Sequence, residues 1–564
     1  MSGARPAVVP ALLVAATEAV TARARKRLDA NPRLAEGWAW SEVPGGLEVR
    51  TDTGEVVRLR PQQGRLSTAE ELGCSCLLGP RCLHVLAVVS LLPAQLAEAP
   101  VEVAAPVVEA AARVALSPVQ ARAVAAGLAV VGDLLQLGAA QAGLVLLAEL
   151  SRVAADLGAC GAFRPARALL GLLGAARLAR DGDADGLVEA LGLAARSLFA
   201  LAGPEAPAAA FGQGRRAFDP LPGLRLFGLL AEPLGRGDGG EGVLTLLCAS
   251  KGGLSAVADW GGEARASARQ LYQRGSRLGP GAPSPEALSR GGLHLVGGTV
   301  SSDRRLGAPE GLSLVSAEGA LLWEEPLAAL FAEPWPQQRA RMAAALFDEA
   351  PPAGADLAYL RGQLVGTLPE GLVLAHAGGL SLLLPESDRP ERPDREGLRR
   401  LARVGPIEVF AIGRAMRERP WALRLLCLGS PALPLPPAMK GRLNLAFDRV
   451  SGLTLPDAPP LPALTPPPPP ARPTEPLLRR LRALAQGGVA VLGPSLLPTV
   501  EAEARALDAA LLSGGAERLR ALAAACLPGV DRRRPDPARL LRAWVQAQTY
   551  TQAVTASLWA EADG

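Results

Sequence analysis

Four side chains that can bind a soft metal ion stand within eleven residues of this chain. They are Cys74, Cys76, Cys82 and His84, and they include three of the seven cysteines and one of the three histidines. A structural zinc site takes four thiolate or imidazole ligands, which small folds supply as two closely spaced pairs. The spacing of two residues within each pair therefore predicts a Zn²⁺ site made by these four residues.

The spacing also predicts where each ligand lies. Residues two apart on an extended segment project to the same side, so Cys74 and Cys76 can face one ion. Residues two apart on a helix diverge by about 200°, so we predict Cys82 in a turn and His84 in the first turn of the following helix. Three thiolates and one imidazole complete a tetrahedron and leave no position for water, which predicts a structural and not a catalytic metal.

Two other interpretations of these residues stay open. Free cysteines are often small core residues, and that would explain the cluster without a metal. Cys74 and Cys76 could also form a redox pair, although Cys82 and His84 would then have no role. The remaining cysteines lie alone in apolar stretches and are predicted to be core residues: Cys160, Cys248, Cys427 and Cys526.

A hairpin and a helix are the elements that must position the cluster. In the segment LEVRTDTGEVVRLR, residues 47–60, apolar and charged residues alternate on both sides of the turn-like TDTG. This pattern predicts a half-buried β-hairpin with arginines on its outer face. The apolar run after His84 predicts a helix that Pro93 ends or kinks, and residues 9–28 are predicted to form an earlier helix.

The order C-x-C, short gap, C-x-H, between a hairpin and an apolar helix, resembles the SWIM-type zinc finger. The resemblance is strict over residues 74–84 and loose over residues 45–95, and the first helix followed by Trp38 and Trp40 is similar to the start of bacterial proteins that carry this finger. It implies an N-terminal ββα finger with the same four residues as ligands. Many members have a basic residue between the last Cys and His, where this chain has Leu83, so no basic contact is expected there.

Length and composition predict an α+β multidomain protein. The chain has 564 residues, 49% of them hydrophobic and 20% charged, which suffices for several cores. Three patterns divide the chain: helical periodicity, apolar runs interrupted by glycine, and a proline-rich stretch. We expect the proline-rich stretch to be a stiff spacer outside any core. The predicted domains are residues 1–98 (N-terminal helix plus finger), 99–206 (helical bundle), 207–320 (strand-rich module), 321–456 (helix plus second strand-rich module), 457–476 (proline-rich linker) and 477–564 (C-terminal helical domain).

The sequence favours a soluble, cytoplasmic protein with no membrane partner. The uncharged stretches are shorter than the roughly 20 residues that span a bilayer. The odd number of scattered cysteines suits a reducing compartment. The apolar start is predicted to be an amphipathic helix and not a cleaved leader.

Common catalytic motifs are missing from the sequence. The three lysines are followed by Arg27, Gly252 and Gly441, so no Walker A motif is present. No nucleophile elbow and no dinucleotide glycine motif occurs. His294 and His376 lie in apolar, strand-like runs and are predicted to be hydrogen-bonded structural histidines. We therefore predict a non-enzymatic protein and identify no small-molecule substrate.

Three functions remain as hypotheses. The first is that the finger and hairpin bind protein or nucleic acid. Phosphate contacts would come from Arg50, Arg58, Arg60, Arg65 and Arg81, although glutamates are interleaved and the net charge is only +4. The chain is alternatively a scaffold or accessory subunit, for which the resemblance implies an AAA-type ATPase partner. The third hypothesis is a hydrolase or nuclease within residues 207–456.

Overall fold

The protein is represented by a computed structural model. The structure describes residues 5–21, 23–24, 27–28, 31, 33–93, 113–184, 186–214, 217–221, 223–235, 240–250, 252–261, 266–279, 281–348, 351–385, 393–417, 419–450, 459–465, 474–528 and 534–561.

The described residues form a mixed α+β fold with 16 helices and several sheets. They divide into two compact units. The first, which we call the mixed unit, comprises Met1–Glu102, Ala217–Leu234 and Glu241–Thr465. The second, which we call the helical unit, comprises Val103–Arg216, Gly235–Gly240 and Pro466–Gly564.

A four-stranded antiparallel sheet lies near the start of the mixed unit. Its strands, in spatial order, are Ala39–Val43, Gly46–Arg50, Val56–Leu59 and Leu72–Cys74. Val49, Val57 and Leu59 are buried on one face, whereas Arg50 and Arg58 are exposed. The predicted hairpin is therefore present, with its arginines facing solvent.

Two helices pack with this sheet in one hydrophobic core. Leu83–Ser90, which we call the cluster helix, buries Val85 through Val89, and it ends before Pro93 as predicted. The first helix, Pro10–Glu18, is shorter than the predicted 9–28. Further along, the Ala24 N–H donates to Thr21 Oγ1, and residues 22, 25 and 26 of the predicted helix lie outside the described part of the chain.

Three further sheets form the rest of the strand-rich part of the mixed unit. One has the order Leu254–Trp260, Glu241–Ala249, Leu224–Gly235, Gly292–Val296, Ser313–Ala317, and a small one has the order Leu306–Gly307, Thr299–Ser301, Phe218–Pro220. A six-stranded sheet has the order Gly379–Leu384, Gly371–His376, Leu357–Leu368, Glu408–Met416, Arg419–Gly429, Arg442–Asn444, and its first strand also pairs with its fifth. The short strands Ala7–Val8 and Arg65–Leu66 pair with each other. Helices Ala268–Gln273, Pro285–Leu288, Ala328–Phe331, Trp335–Phe347 and Pro393–Leu401 lie between the strands.

A buried polar network lies within the mixed unit. Both Asp448 carboxylate oxygens accept hydrogen bonds from Arg290 Nη2, at 2.6 and 2.7 Å, and one also accepts the Asn444 N–H at 2.7 Å. The Asn444 side-chain amide donates to Tyr272 Oη and Ser289 Oγ at 3.0 and 2.9 Å. Because all of these groups are buried, each depends on the others to replace the water it lost on folding.

The helical unit is built from two distant parts of the sequence. Its helices are Pro118–Leu137, Leu144–Ala159, Phe163–Arg180, Leu187–Phe199, Ala208–Phe211, Glu475–Gly487, Leu497–Ala509, Ser513–Ala525 and Pro537–Glu561, and the strands Arg113–Ala115 and Glu205–Pro207 pair with each other. One core joins Leu134 and Leu172 with Leu481 and Trp544. Ser117 caps Pro118–Leu137, and its side chain accepts a hydrogen bond from the Gln120 N–H. Among the described helices this one alone is long and apolar enough to cross a membrane, a test that core helices also pass.

Part of the predicted linker packs against the six-stranded sheet. Leu461 is buried and its N–H donates to the Ala402 carbonyl oxygen, and the Leu464 N–H donates to that of Thr367. Residues 459–465 are therefore docked and do not act as a free spacer. Residues 457–458 and 466–473 of the linker, like residues 99–112 of the predicted helical bundle, lie outside the described part of the chain, and the domain boundaries stay a prediction.

Candidate metal centre

A strand end, a bend and a helix start supply the four cluster residues. Cys74 is the last residue of strand Leu72–Cys74, and Cys76 lies in the bend that follows. Cys82 precedes the first residue of the cluster helix, and His84 lies in that helix's first turn, as the spacing predicts. We call these four residues the Cys/His cluster.

The ligand atoms of the Cys/His cluster converge. The three sulfurs and one imidazole nitrogen all lie within 4.8 Å of one another, and Cys74 Sγ is 3.8 Å from His84 Nδ1. Sulfur atoms that bind one Zn²⁺ at about 2.3 Å in a tetrahedron are about 3.8 Å apart. The cluster is therefore compact enough to hold a metal ion, and three thiolates with one imidazole are a donor set that zinc accepts.

The three thiols differ in acidity. Burial raises the pKa of Cys82 to about 12 and also raises that of Cys74. Burial alone would raise the pKa of Cys76, but hydrogen bonds from the Cys82 thiol and the Leu78 N–H outweigh it and lower that pKa. Cys74 and Cys82 are thus protonated at neutral pH when no metal is bound, and a metal must displace their protons.

Neighbouring side chains hold the cluster in place. The Val56 N–H donates to Ser75 Oγ at 2.8 Å, and the Ser75 N–H donates to the Val56 carbonyl oxygen at 3.0 Å. Ser75 thereby locks the segment between the first two cysteines to the hairpin. The Trp38 ring makes an edge contact with the His84 ring, with centroids 5.8 Å apart. We did not predict either contact, because nothing in the local pattern pairs Ser75 with a residue on another strand.

Gly79 lies too close to the strand Leu72–Cys74 to carry a side chain. A Cβ at this position would lie 2.3 Å from the Cys74 carbonyl oxygen. Gly79→Ala is therefore expected to push the turn away from Cys74 and to weaken zinc binding about tenfold or more, measured by competition with a chelating dye. Gly37→Ala is the matched control, because a Cβ there meets nothing within 4 Å. Equal zinc affinities in the two variants would contradict this account.

The chain matches no protein-family model, no curated protein and no solved structure. The cluster pattern itself covers only residues 74–84. What the centre does must therefore follow from the residues around it.

The five predicted phosphate-contacting arginines are all exposed: Arg50, Arg58, Arg60, Arg65 and Arg81. The strand register and the alternation of side chains place the first three on one face of the hairpin. Glu48 lies on the same face, and its carboxylate accepts a hydrogen bond from Arg58 Nε at 2.8 Å. Arg65 lies in the short strand Arg65–Leu66, and Arg81 lies in the loop between Cys76 and Cys82. Nucleic-acid binding stays a prediction.

The loop between the two ligand pairs carries two exposed leucines. Leu77 is fully exposed, and Leu78 is 70% exposed. Both follow Cys76 directly, so the Cys/His cluster fixes the base of the loop that presents them. We treated them only as spacing in the sequence, where an exposed leucine cannot be distinguished from a buried one.

The remaining histidines have structural surroundings. His294 is buried, and burial, followed by the charge of Arg225, lowers its pKa to about 3. His376 Nδ1 accepts the Gly378 N–H at 3.1 Å, so its Nε2 carries the hydrogen and donates to Ser381 Oγ at 2.9 Å. His376 is therefore hydrogen-bonded, as predicted, and its ring is not poised to take a proton from Ser381.

Proposed function

We propose that the Cys/His cluster holds one Zn²⁺ ion as the structural centre of a SWIM-type zinc finger. The observation that carries this proposal is the convergence of four ligand atoms from a strand end and a helix start. The order of hairpin, cluster and helix supports the ββα arrangement. With all four positions taken by protein ligands, such an ion stabilises the finger and performs no chemistry.

In this proposal the finger acts by binding a protein partner. Leu77 and Leu78 support it, because two adjacent exposed leucines on a loop anchored at both ends offer apolar contact area at a low cost in conformational entropy. The chain would then be a cytoplasmic, non-enzymatic scaffold or accessory subunit. An AAA-type ATPase is the partner class that the resemblance of the finger implies.

Nucleic-acid binding by the hairpin is the second candidate. Its support is the shared face of Arg50, Arg58 and Arg60. The pairing of Arg58 with Glu48 counts against it, since a phosphate would have to displace that carboxylate. A hydrolase within residues 207–456 lacks comparable support, because the hydrogen of His376 Nε2 points toward Ser381.

Metal analysis of the purified chain tests the zinc proposal. We expect one zinc per chain in the native protein and in Cys160→Ser, whose thiol lies outside the cluster and donates to the Leu157 carbonyl oxygen. Cys82→Ser should retain almost no zinc, because it removes one of four ligands. A native protein without zinc, or equal zinc in both variants, would refute the proposal.

A second pair of variants tests whether the partner of the finger is a protein or a nucleic acid. Leu77→Ser combined with Leu78→Ser should release a co-purifying protein while zinc content stays at one per chain. Leu380→Ser alters a similarly exposed leucine elsewhere in the mixed unit and should leave the partner bound. Retention of the partner by the double variant would reject the loop as its contact. Binding of double-stranded DNA whose log affinity falls by about 0.9 per phosphate contact for each tenfold rise in salt would favour the face with Arg50, Arg58 and Arg60.

A further inference from the structure

A cavity of about 430 Å³ lies in the mixed unit, away from the Cys/His cluster. The far end of the cluster helix and the residues after it, Ser90–Pro93, form one wall. The five-stranded sheet supplies another through Arg225, Phe227 and His294, and Ser250 also lines the space. Volumes of this size are typical of sites for small molecules.

The sheet register brings the polar wall together. Arg225 and His294 are direct partners on adjacent strands. Phe227 is two residues along from Arg225 and therefore points to the same face. The Arg225 guanidinium lies 4.7 Å from the centre of the Phe227 ring, and its Nη2 donates to the Glu318 carbonyl oxygen. The guanidinium is thus held in a fixed orientation.

Two residues that line this cavity each carry a buried polar atom without a protein partner. Among the described residues, neither Arg225 Nη1 nor Ser250 Oγ makes a hydrogen bond. A buried donor without a partner costs free energy, so such atoms are rare in folded proteins. Both atoms belong to residues that line the same space, so a small shift of either side chain would let a molecule bound there complete their hydrogen bonds.

The charges around the cavity favour an anion. The Glu318 carboxylate is the acidic group in the lining, and it is already paired with Arg33 and, at 2.9 Å, with Lys440. Within the described part of the chain, Arg225 has no carboxylate within ion-pair distance. Burial without a counter-ion lowers its pKa to about 10, so the guanidinium is still charged at neutral pH. His294 is neutral there and adds no charge.

We propose that this cavity binds a small organic anion. Its carboxylate or phosphate group would accept hydrogen bonds from Arg225 Nη1 and Ser250 Oγ, and its apolar part would lie against Phe227 and the leucines Leu91 and Leu92. The site would be separate from zinc binding and from the partner contact at Leu77 and Leu78. It would make the chain a receptor for a metabolite-sized ligand in addition to a binding protein.

Calorimetric titration of the zinc-loaded full chain with benzoate, phenyl phosphate and neutral benzamide tests the proposal. We expect saturable binding of at least one of the two anions and none of benzamide; which anion binds identifies the charged group. Arg225→Gln should weaken that binding about tenfold or more, since it removes the charged donor of a hydrogen bond to the anion. Arg361→Gln, a change at an exposed arginine, should leave it unchanged.

Ser250→Ala provides a second variant if Arg225→Gln fails to fold. It removes a hydroxyl that has no protein partner, so the free energy of unfolding should not fall, whereas anion affinity should drop severalfold. The proposal is wrong if neither anion binds at millimolar concentration or if benzamide binds as tightly as the anions. It is equally wrong if folded Arg225→Gln, or Ser250→Ala, binds the anion as the native chain does.

Discussion

Removal of zinc by a strong chelator should accelerate tryptic cleavage after Arg81 by about tenfold or more, since structural zinc contributes about 10–16 kcal/mol to small zinc-binding folds. Arg81 is exposed in the loop, and proposed ligands Cys76 and Cys82 lie on both sides of it. A protease must draw the loop into an extended conformation, which the ion would oppose while bound. The rate is measured by mass spectrometry of the fragments at constant pH.

The control for this experiment is cleavage after Arg152, an exposed arginine of the helical unit, which should not respond to the chelator. Added Zn²⁺ should restore protection at Arg81, and Cys82→Ser should be cleaved rapidly with or without chelator. Burial raises the pKa of Cys74 and Cys82, so protons compete with the metal and zinc affinity should rise with pH. Cleavage at Arg81 that is unaffected by chelation would contradict a structural ion.

Asp448→Ala should lower the free energy of unfolding by about 3–5 kcal/mol, which is typical when one partner of a buried ion pair is removed. The change leaves the Arg290 guanidinium buried with its main counter-ion gone and also removes the acceptor of the Asn444 N–H. Urea denaturation of the zinc-loaded protein, followed by tryptophan fluorescence, measures the loss.

Glu408→Ala is the matched control for this change. Glu408 also pairs with an arginine, Arg361, at 2.7 Å, but both side chains are more than half exposed. Solvent-exposed pairs contribute about 0–1 kcal/mol, so this variant should be nearly as stable as the native chain. Losses of similar size in the two variants would show that burial of the Arg290–Asp448 pair is not what makes it important.

The Cys/His cluster was predictable because all of its determinants are local. Cys74, Cys76, Cys82 and His84 are separated by few residues, so their spacing alone restricts the chain to a strand, a turn and a helix start. The hairpin before them follows from the alternation of apolar and charged residues, and the helix after them follows from an apolar run that ends before Pro93. In each case the decisive interactions join residues that are near neighbours in sequence.

The remaining features depend on contacts between distant residues. Arg225 and His294 become neighbours only through strand register, and Asp448 meets Arg290 from far along the sequence. No periodicity in the sequence encodes which strands pair, so neither the cavity nor the polar network was foreseen. Leu461 shows the same limit: a proline-rich composition indicates an extended chain but does not show which surface an extended chain lies against.

The two-part core of the helical unit affects how the protein is made. Leu134 and Leu172 pack in one core with Leu481 and Trp544, yet the three later sheets of the mixed unit, from Phe218–Pro220 to Arg442–Asn444, are translated between them. At about 5–20 residues per second, the ribosome needs on the order of tens of seconds to bridge that interval. During this interval the N-terminal helices of the helical unit expose apolar faces, because the C-terminal helices that cover them have not yet been synthesised. We therefore expect the nascent chain to be most prone to aggregation, and most in need of chaperones, at this stage of synthesis.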